Sequence, residues 1–302
     1  MKRLDKSEII FKVLSYTFLT IFALFCLYPF IYSISASISG ASVIQNGEIV
    51  LIPKDVQFNA FLYVLTNTKM KNFWLSYANT LFVTLYGTIW SMFLSILGAY
   101  GLSKTRLKFH KTLNFLLVFT MWFAAGMVPT KLNYDATKAI FHAIGIMDDK
   151  WLVVIAMGVA AYNIILLRNS FGSIPKEIEE AAKVDGANEF QIMGKVYVPM
   201  SKASIATVAL FYGISRWNGY FWAMQEIEDV TQWPLQVFIR SMVDEAFNSA
   251  GSDTKEDYTP FGFATESLFY AMVVCAIIPI IIIYPYVQKY FAAGVNLGGV
   301  KE

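Results

Sequence analysis

Two cysteines and two histidines in 302 residues leave little material for metal or redox chemistry. Cys26 and Cys275 both fall inside apolar runs, so neither a disulfide framework nor a cysteine-built zinc site is expected. His110 and His142 lie in different polar segments, too few to make a metal centre. Charge is scarce as well. Only 15% of the residues are Asp, Glu, Lys or Arg, against about 25% in soluble domains. The net charge of +2 gives no case for a nucleic-acid partner. There is no G-x-x-x-x-G-K-[ST] loop to cradle nucleotide phosphates, so any ATP used must be handled by another polypeptide. No His-Glu-x-x-His, no G-x-S-x-G and no carboxylate pair within an apolar run occurs, which argues against an enzyme. An ion-coupled secondary transporter normally carries ionisable residues deep in its spans. Here only Arg216 comes close.

What the chain has in quantity is apolar surface: 56% hydrophobic residues, 25 Phe and 17 Tyr, with a mean hydropathy of +0.50. The runs divide into six segments of roughly the ~20 residues that cross a bilayer. They cover about 13–34, 74–102, 113–128, 151–167, 203–224 and 268–287. The first is too long for a signal-peptide core and is followed by further spans, so it is expected to stay as a transmembrane helix. The third closes at Pro129, and a connector of about twenty residues follows it. Loops at 38–73 (with short helices) and 225–267 complete the layout. The reading is an all-α membrane protein of six transmembrane helices in a single domain, residues 1–302.

Lysine and arginine set the orientation. With the N-terminus inside, the inner segments hold fifteen and the outer ones eight, which places both termini in the cytoplasm. The 225–267 loop is acidic, with nine Asp and Glu against Arg240 and Lys255.

The segment from Ile174 to Pro199 is the longest polar interval that still reads as a helix, expected over about 175–193. Pro175 suits a first helical position. Glu177, Glu179 and Glu180 suit a helix start. Ile178, Ala181, Ala182, Gly186 and Phe190 fall on one side at helical spacing, a narrow stripe with Gly186 in its middle. Its composition alone fits an ordinary surface helix. Its narrow small-sided stripe fits a helix docking into a partner's cleft.

Other candidate residues lie in the spans. Arg216, Trp217, Asn218, Tyr220 and Trp222 end the fifth, where lipid would call for Leu or Val. They either line a translocation path, with aromatic faces for sugar rings, or form an interfacial belt with Arg216 snorkelling or paired. Asn79, Asn163 and Trp122 are weaker candidates, because a buried Asn more often joins two helices.

Glu180-Ala181-Ala182, Gly186 four residues on, then Val196, Val198 and Pro199 at fixed spacing resemble the EAA motif of ABC importer permeases. Val stands at 196 and 198 where Ile and Leu are usual. GMVPT at 126–130, ISRWNGYFWAM at 214–224, WPLQVFIRS at 233–241 and the C-terminal YPYVQKYFAAGVNLGGVKE extend the likeness to the MalG- and LplC-type permeases of carbohydrate importers. Residues 131–150 and 245–265 depart from that pattern. The resemblance implies a type I importer permease fold in the bacterial plasma membrane, importing carbohydrates, oligosaccharides in particular. A permease for a non-sugar solute and a secondary transporter are the alternatives. It implies a heterodimer with a second homologous permease, two ATP-binding cassette ATPases, which bind the ATP and Mg, and an extracellular solute-binding lipoprotein. This chain itself would carry no cofactor and contact membrane lipid. ATPase coupling falls to Glu180, Ala181, Ala182, Asp185, Gly186 and Pro199, with Glu180 reaching a basic residue of the ATPase. The tail, 289–302, is expected to reach between the ATPases.

Overall fold

The computed structural model describes residues 6–48, 51–123, 126–146, 148–248 and 261–295. Helices dominate, and no strand occurs among the described residues. The principal ones are α1 (Lys6–Ser37), α2 (Lys71–Ser103), α3 (His110–Trp122), α4 (Met127–Ala143), α5 (Asp149–Ala156) and α6 (Ala161–Gly172). They continue with α7 (Lys176–Val184), α8 (Glu189–Ile192), α9 (Lys202–Asn218), α10 (Phe221–Glu226), α11 (Leu235–Asn248) and α12 (Thr265–Val295). The chain forms two compact units: Met1–Lys71 with Ile239–Ile278, and Asn72–Phe238 with Pro279–Glu302.

In the second unit, α2 is the longest helix. Its buried face is mostly small and polar, with Ser76, Asn79, Thr80, Val83, Gly87, Ser91, Ser95 and Ala99 beside the larger Phe73, Met92 and Tyr100. Its exposed face carries Leu75, Leu81, Leu85, Ile89 and Phe93. This inversion of the soluble pattern suits a helix solvated by lipid, where apolar packing gives no driving force and small faces let helices approach. Asn79 donates to the carbonyls of Thr231 and Trp233 at 2.8 and 3.2 Å. The Thr80 hydroxyl accepts the N–H of Leu235 at 2.6 Å, satisfying a donor in the first turn of α11. In the first unit, α1 exposes Phe, Leu and Ile nearly all round. Tyr32 meets Tyr270 edge-on there. Leu268, Ala271, Met272 and Cys275 form the buried stripe of α12 at helical spacing.

Several expected boundaries change. Among the described residues, three helices are by themselves long and apolar enough to cross a membrane, or up to five if each bent pair is one span. The third expected span stops at Trp122, and Pro129 opens α4 instead of closing the span. Most of the expected connector is therefore helix, because proline is tolerated in a first turn. The span expected at 151–167 is broken into α5 and α6, bent by 50°. Gly158, at φ +54°, sits at the break. The run 203–224 is broken at Gly219 between α9 and α10. Much of the 225–267 loop is helical in α11, and residues 249–260 lie outside the described residues.

Candidate functional site

The segment expected as one helix is a helix–turn–helix. α7 ends at Val184, and Gly186 adopts φ +79°. The N–H of Ala187 donates to the Ala182 carbonyl, and that of Gly186 to Lys183, each at 3.0 Å. This is a Schellman closure, which needs a left-handed residue at the position Gly186 fills. Gly186 is thus the turn's pivot and not the small centre of a continuous stripe, a correction with a conformational cause. Asn188 then opens α8 through a capping box with Gln191. The Asn-x-x-Gln signal stood in the sequence. The run of helical periodicity across the turn concealed it. After α8 a π-turn, Met193–Tyr197, leads into the helical turn holding exposed Pro199.

The hairpin is held by a buried ion cluster centred on Glu179, whose side chain is 11% exposed. Its carboxylate accepts from Lys104 Nζ at 2.7 Å, Lys183 Nζ at 2.6 Å and Tyr197 Oη at 2.6 Å. Arg106 adds an ion pair at 3.5 Å. Lys104 Nζ also lies 4.2 Å from the Tyr100 ring centre and 3.8 Å from that of Tyr197, a cation held between two aromatic faces. Glu189 accepts from Tyr100 Oη at 2.7 Å and pairs with Arg106. An open cleft of about 460 Å³ borders Lys104, Arg106 and Glu189 and brings water to one side. Burial pushes the Glu179 carboxyl up, but the hydrogen bonds from Lys104, Lys183 and Tyr197 outweigh it and bring the pKa down to about 2. The hydrogen bond from Tyr100 holds Glu189 below the usual carboxylate range. Burial, then the bond to Glu179, raises the Tyr197 hydroxyl. Burial pulls the Lys104 ammonium down against Glu179, so the pair's preference for the ionised state is carried by the three-donor carboxylate.

None of Glu179, Lys104, Arg106, Tyr100, Tyr197 or Glu189 was legible as a set. The Glu179–Lys183 spacing of four residues was the one local signal. Of the residues singled out by the motif, Glu180, Ala181, Asp185 and Gly186 are exposed. Ala182 is half-buried and packs inward, against the cluster of Phe171, Ile174, Ile192 and Tyr197. The exposed side of the hairpin also bears Ile178, Val184 at 87% exposure and Phe190 at 74%.

The span candidates separate. Arg216 is buried, donating to the Val153 carbonyl at 2.7 Å and Ser91 Oγ at 2.8 Å. Trp217 is buried against the edge of Tyr77. Trp222 stacks on Tyr134 at 5.2 Å, and beside it Lys131 pairs with buried Glu226 at 2.9 Å. Asn163 is buried in α6, while Asn218 and Tyr220 are exposed. Trp122, at the end of α3, is exposed. The Asn79 amide nitrogen is occupied by the two carbonyls named above and joins α2 to the segment before α11.

A family model described as binding-protein-dependent transport system inner membrane component matches residues 6–297. The polygalacturonan/rhamnogalacturonan transport system permease protein YtcP of Bacillus subtilis (strain 168) is 37% identical over 292 residues, 97% of this chain and 98% of that protein. Protein LplC of the same organism is 31% identical over 297 residues, 98% and 96% of the two chains. A crystal structure of a bacterial ABC transporter involved in the import of the acidic polysaccharide alginate superposes with a TM-score of 0.82 at 41% identity, covering 96% of this chain and all of that one. The chain therefore belongs to the binding-protein-dependent transport system inner membrane components, and is a multi-pass permease subunit of an ABC importer in the bacterial plasma membrane.

Proposed function

We propose that this chain is one of two permease subunits of an ATP-driven importer of acidic oligosaccharides, and that the α7–α8 hairpin is its handle for an ATPase. One observation carries the reading. A hairpin with uncovered Ile178, Val184 and Phe190 is fixed by a buried ion cluster to the end of α2. Uncovered apolar side chains on a rigid protrusion suit a docking surface. The positive-inside bias supports a cytoplasmic hairpin. ATP and Mg are held by two ATPase subunits and not by this chain, a second permease completes the path, and an outside binding protein delivers the cargo. Closure of the ATPases draws the hairpin inward, and the lever passes through Glu179 and Lys104 to α2. Alternating access is then a population shift, driven by ATP binding one conformation more tightly.

The acidic cargo is supported by the relatives' names, a polygalacturonan system and an alginate importer. The test is uptake by proteoliposomes holding the assembled complex and its binding protein. Galacturonate oligomers and neutral oligomers of equal length are compared, with and without ATP. ATP-dependent uptake favouring the uronates is expected. Preference for neutral sugars refutes the cargo, a preference for another solute class refutes the carbohydrate reading, and uptake driven by an ion gradient without ATP refutes the importer role of this complex.

A further inference from the structure

A helix broken inside a candidate span leaves carbonyls at one end and N–H groups at the other, and in hydrocarbon each must find a partner. At the α5–α6 break these groups are taken up by two other helices. From α2, Ser91 Oγ donates to the Gly158 carbonyl at 2.6 Å. From α9, one turn apart, come Tyr212 and Arg216. The Tyr212 hydroxyl accepts the N–H of Ala160 at 3.1 Å and shares a hydrogen bond with Ser95 Oγ at 2.7 Å. The Arg216 guanidinium reaches two ways at once, to the Val153 carbonyl at 2.7 Å and to Ser91 Oγ at 2.8 Å. Arg216 is 4% exposed. Its charge is met by the carbonyl end of α5, where the helix dipole is negative. Gly87 makes room for it: a Cβ there would lie 3.0 Å from Arg216 Nε. On the other side of the break, Val159 and Ala160 are exposed.

We propose that Arg216 is a positioning residue that clasps the α5–α6 break between α2 and α9 and so fixes how the rim at Val159 and Ala160 is presented to the translocation path. The role rests on the permease reading and goes beyond it, because it assigns the span's one deep cation to backbone geometry and not to cargo. A planar fork is needed to span Val153 and Ser91, and a lysine ammonium offers no such fork.

The test uses the assembled transporter in lipid nanodiscs and proteoliposomes, with Cys26→Ser, Cys275→Ser and Val159→Cys as background. Maleimide labelling of residue 159 reads the rim directly and needs no cargo. Arg216→Lys and Arg216→Met should change the labelling rate more than threefold and cut uptake per ATP hydrolysed at least tenfold. Gly87→Ala, which pushes on the guanidinium without removing it, should shift labelling in the same direction. Gly98→Ala, whose Cβ meets nothing closer than 3.9 Å, should change neither. If Arg216→Met fails to assemble, Arg216→Lys and Gly87→Ala still decide. Wild-type labelling with uptake lost would make Arg216 a cargo contact and overturn the proposal, as would wild-type labelling and uptake in Arg216→Lys. Absence of ATP-driven uptake in the background protein would instead sink the permease reading, leaving the labelling result to stand by itself.

Discussion

Replacing Glu179 by glutamine removes the one carboxylate that three donors share. Its folded pKa of about 2 lies below the ordinary 4.5. At about 1.4 kcal/mol per pH unit, the ionised form is favoured by on the order of 3 kcal/mol. Arg106 is half exposed, and screening on that side trims the figure to about 2 kcal/mol. The sign follows from the depression. The stabilisation is complete above pH 4.5 and is lost progressively as the pH falls from there through about 2, so it is constant across the neutral range. In Glu179→Gln the amide keeps an acceptor, but Lys104, whose side chain is 9% exposed, stays buried without a full counter-charge. A loss of about 2 kcal/mol raises local opening about 30-fold. Hydrogen exchange of residues 176–192 in the nanodisc-embedded complex should show that loss of protection, with residues 83–95 unchanged. ATPase retention should fall with it, because a loosened hairpin must be ordered again on docking. The paired change Glu179→Met with Lys104→Met should recover much of the protection, since it leaves neither charge stranded. Unchanged exchange in Glu179→Gln, or a double variant as labile as the single, refutes the reasoning.

Gly186→Ala should cost roughly 1–2 kcal/mol of hairpin protection through left-handed strain, and Gly186→Asn less; equal protection in both would remove the turn argument. A Cβ at 186 meets nothing within 4 Å, so Gly186→Trp should insert normally; it carries the same left-handed strain as Gly186→Ala, and uptake lost beyond that of the alanine variant reports obstruction of what docks there. Val184→Asp and Phe190→Asp should each reduce ATPase co-purification at least tenfold while leaving hairpin exchange at the wild-type rate, and Glu180→Ala should weaken it as well; undiminished ATPase in all three means this face docks nothing. Asn79→Leu strands the Thr231 and Trp233 carbonyls and should lower stability by about 1–3 kcal/mol, read as a drop in the thermal midpoint of the detergent-solubilised complex.

The hairpin's place in the chain was legible because its polar residues interrupt apolar runs and its motif spacing is long. Its shape was only half legible. Periodicity cannot see a residue at positive φ, and so Gly186 passed as part of a stripe until the Ala187–Ala182 and Gly186–Lys183 bonds showed a turn. Glu179 and Glu180 are neighbours whose side chains leave a helix about 100° apart. Nothing local says which one turns inward. The tail expected between the ATPases lies outside the described residues beyond Val295.

Composition and local pattern by themselves determined that this chain lives in lipid and where its polar protrusion falls. Those are properties of residues within one or two turns of each other. Tertiary structure alone decided which polar groups are spent on one another. Lys104 finds Glu179 across 75 positions, and Arg216 finds Ser91 across 125. A buried charge, or a broken helix end in hydrocarbon, must be satisfied by whatever the fold brings near, and no reading of neighbours along the chain contains that information.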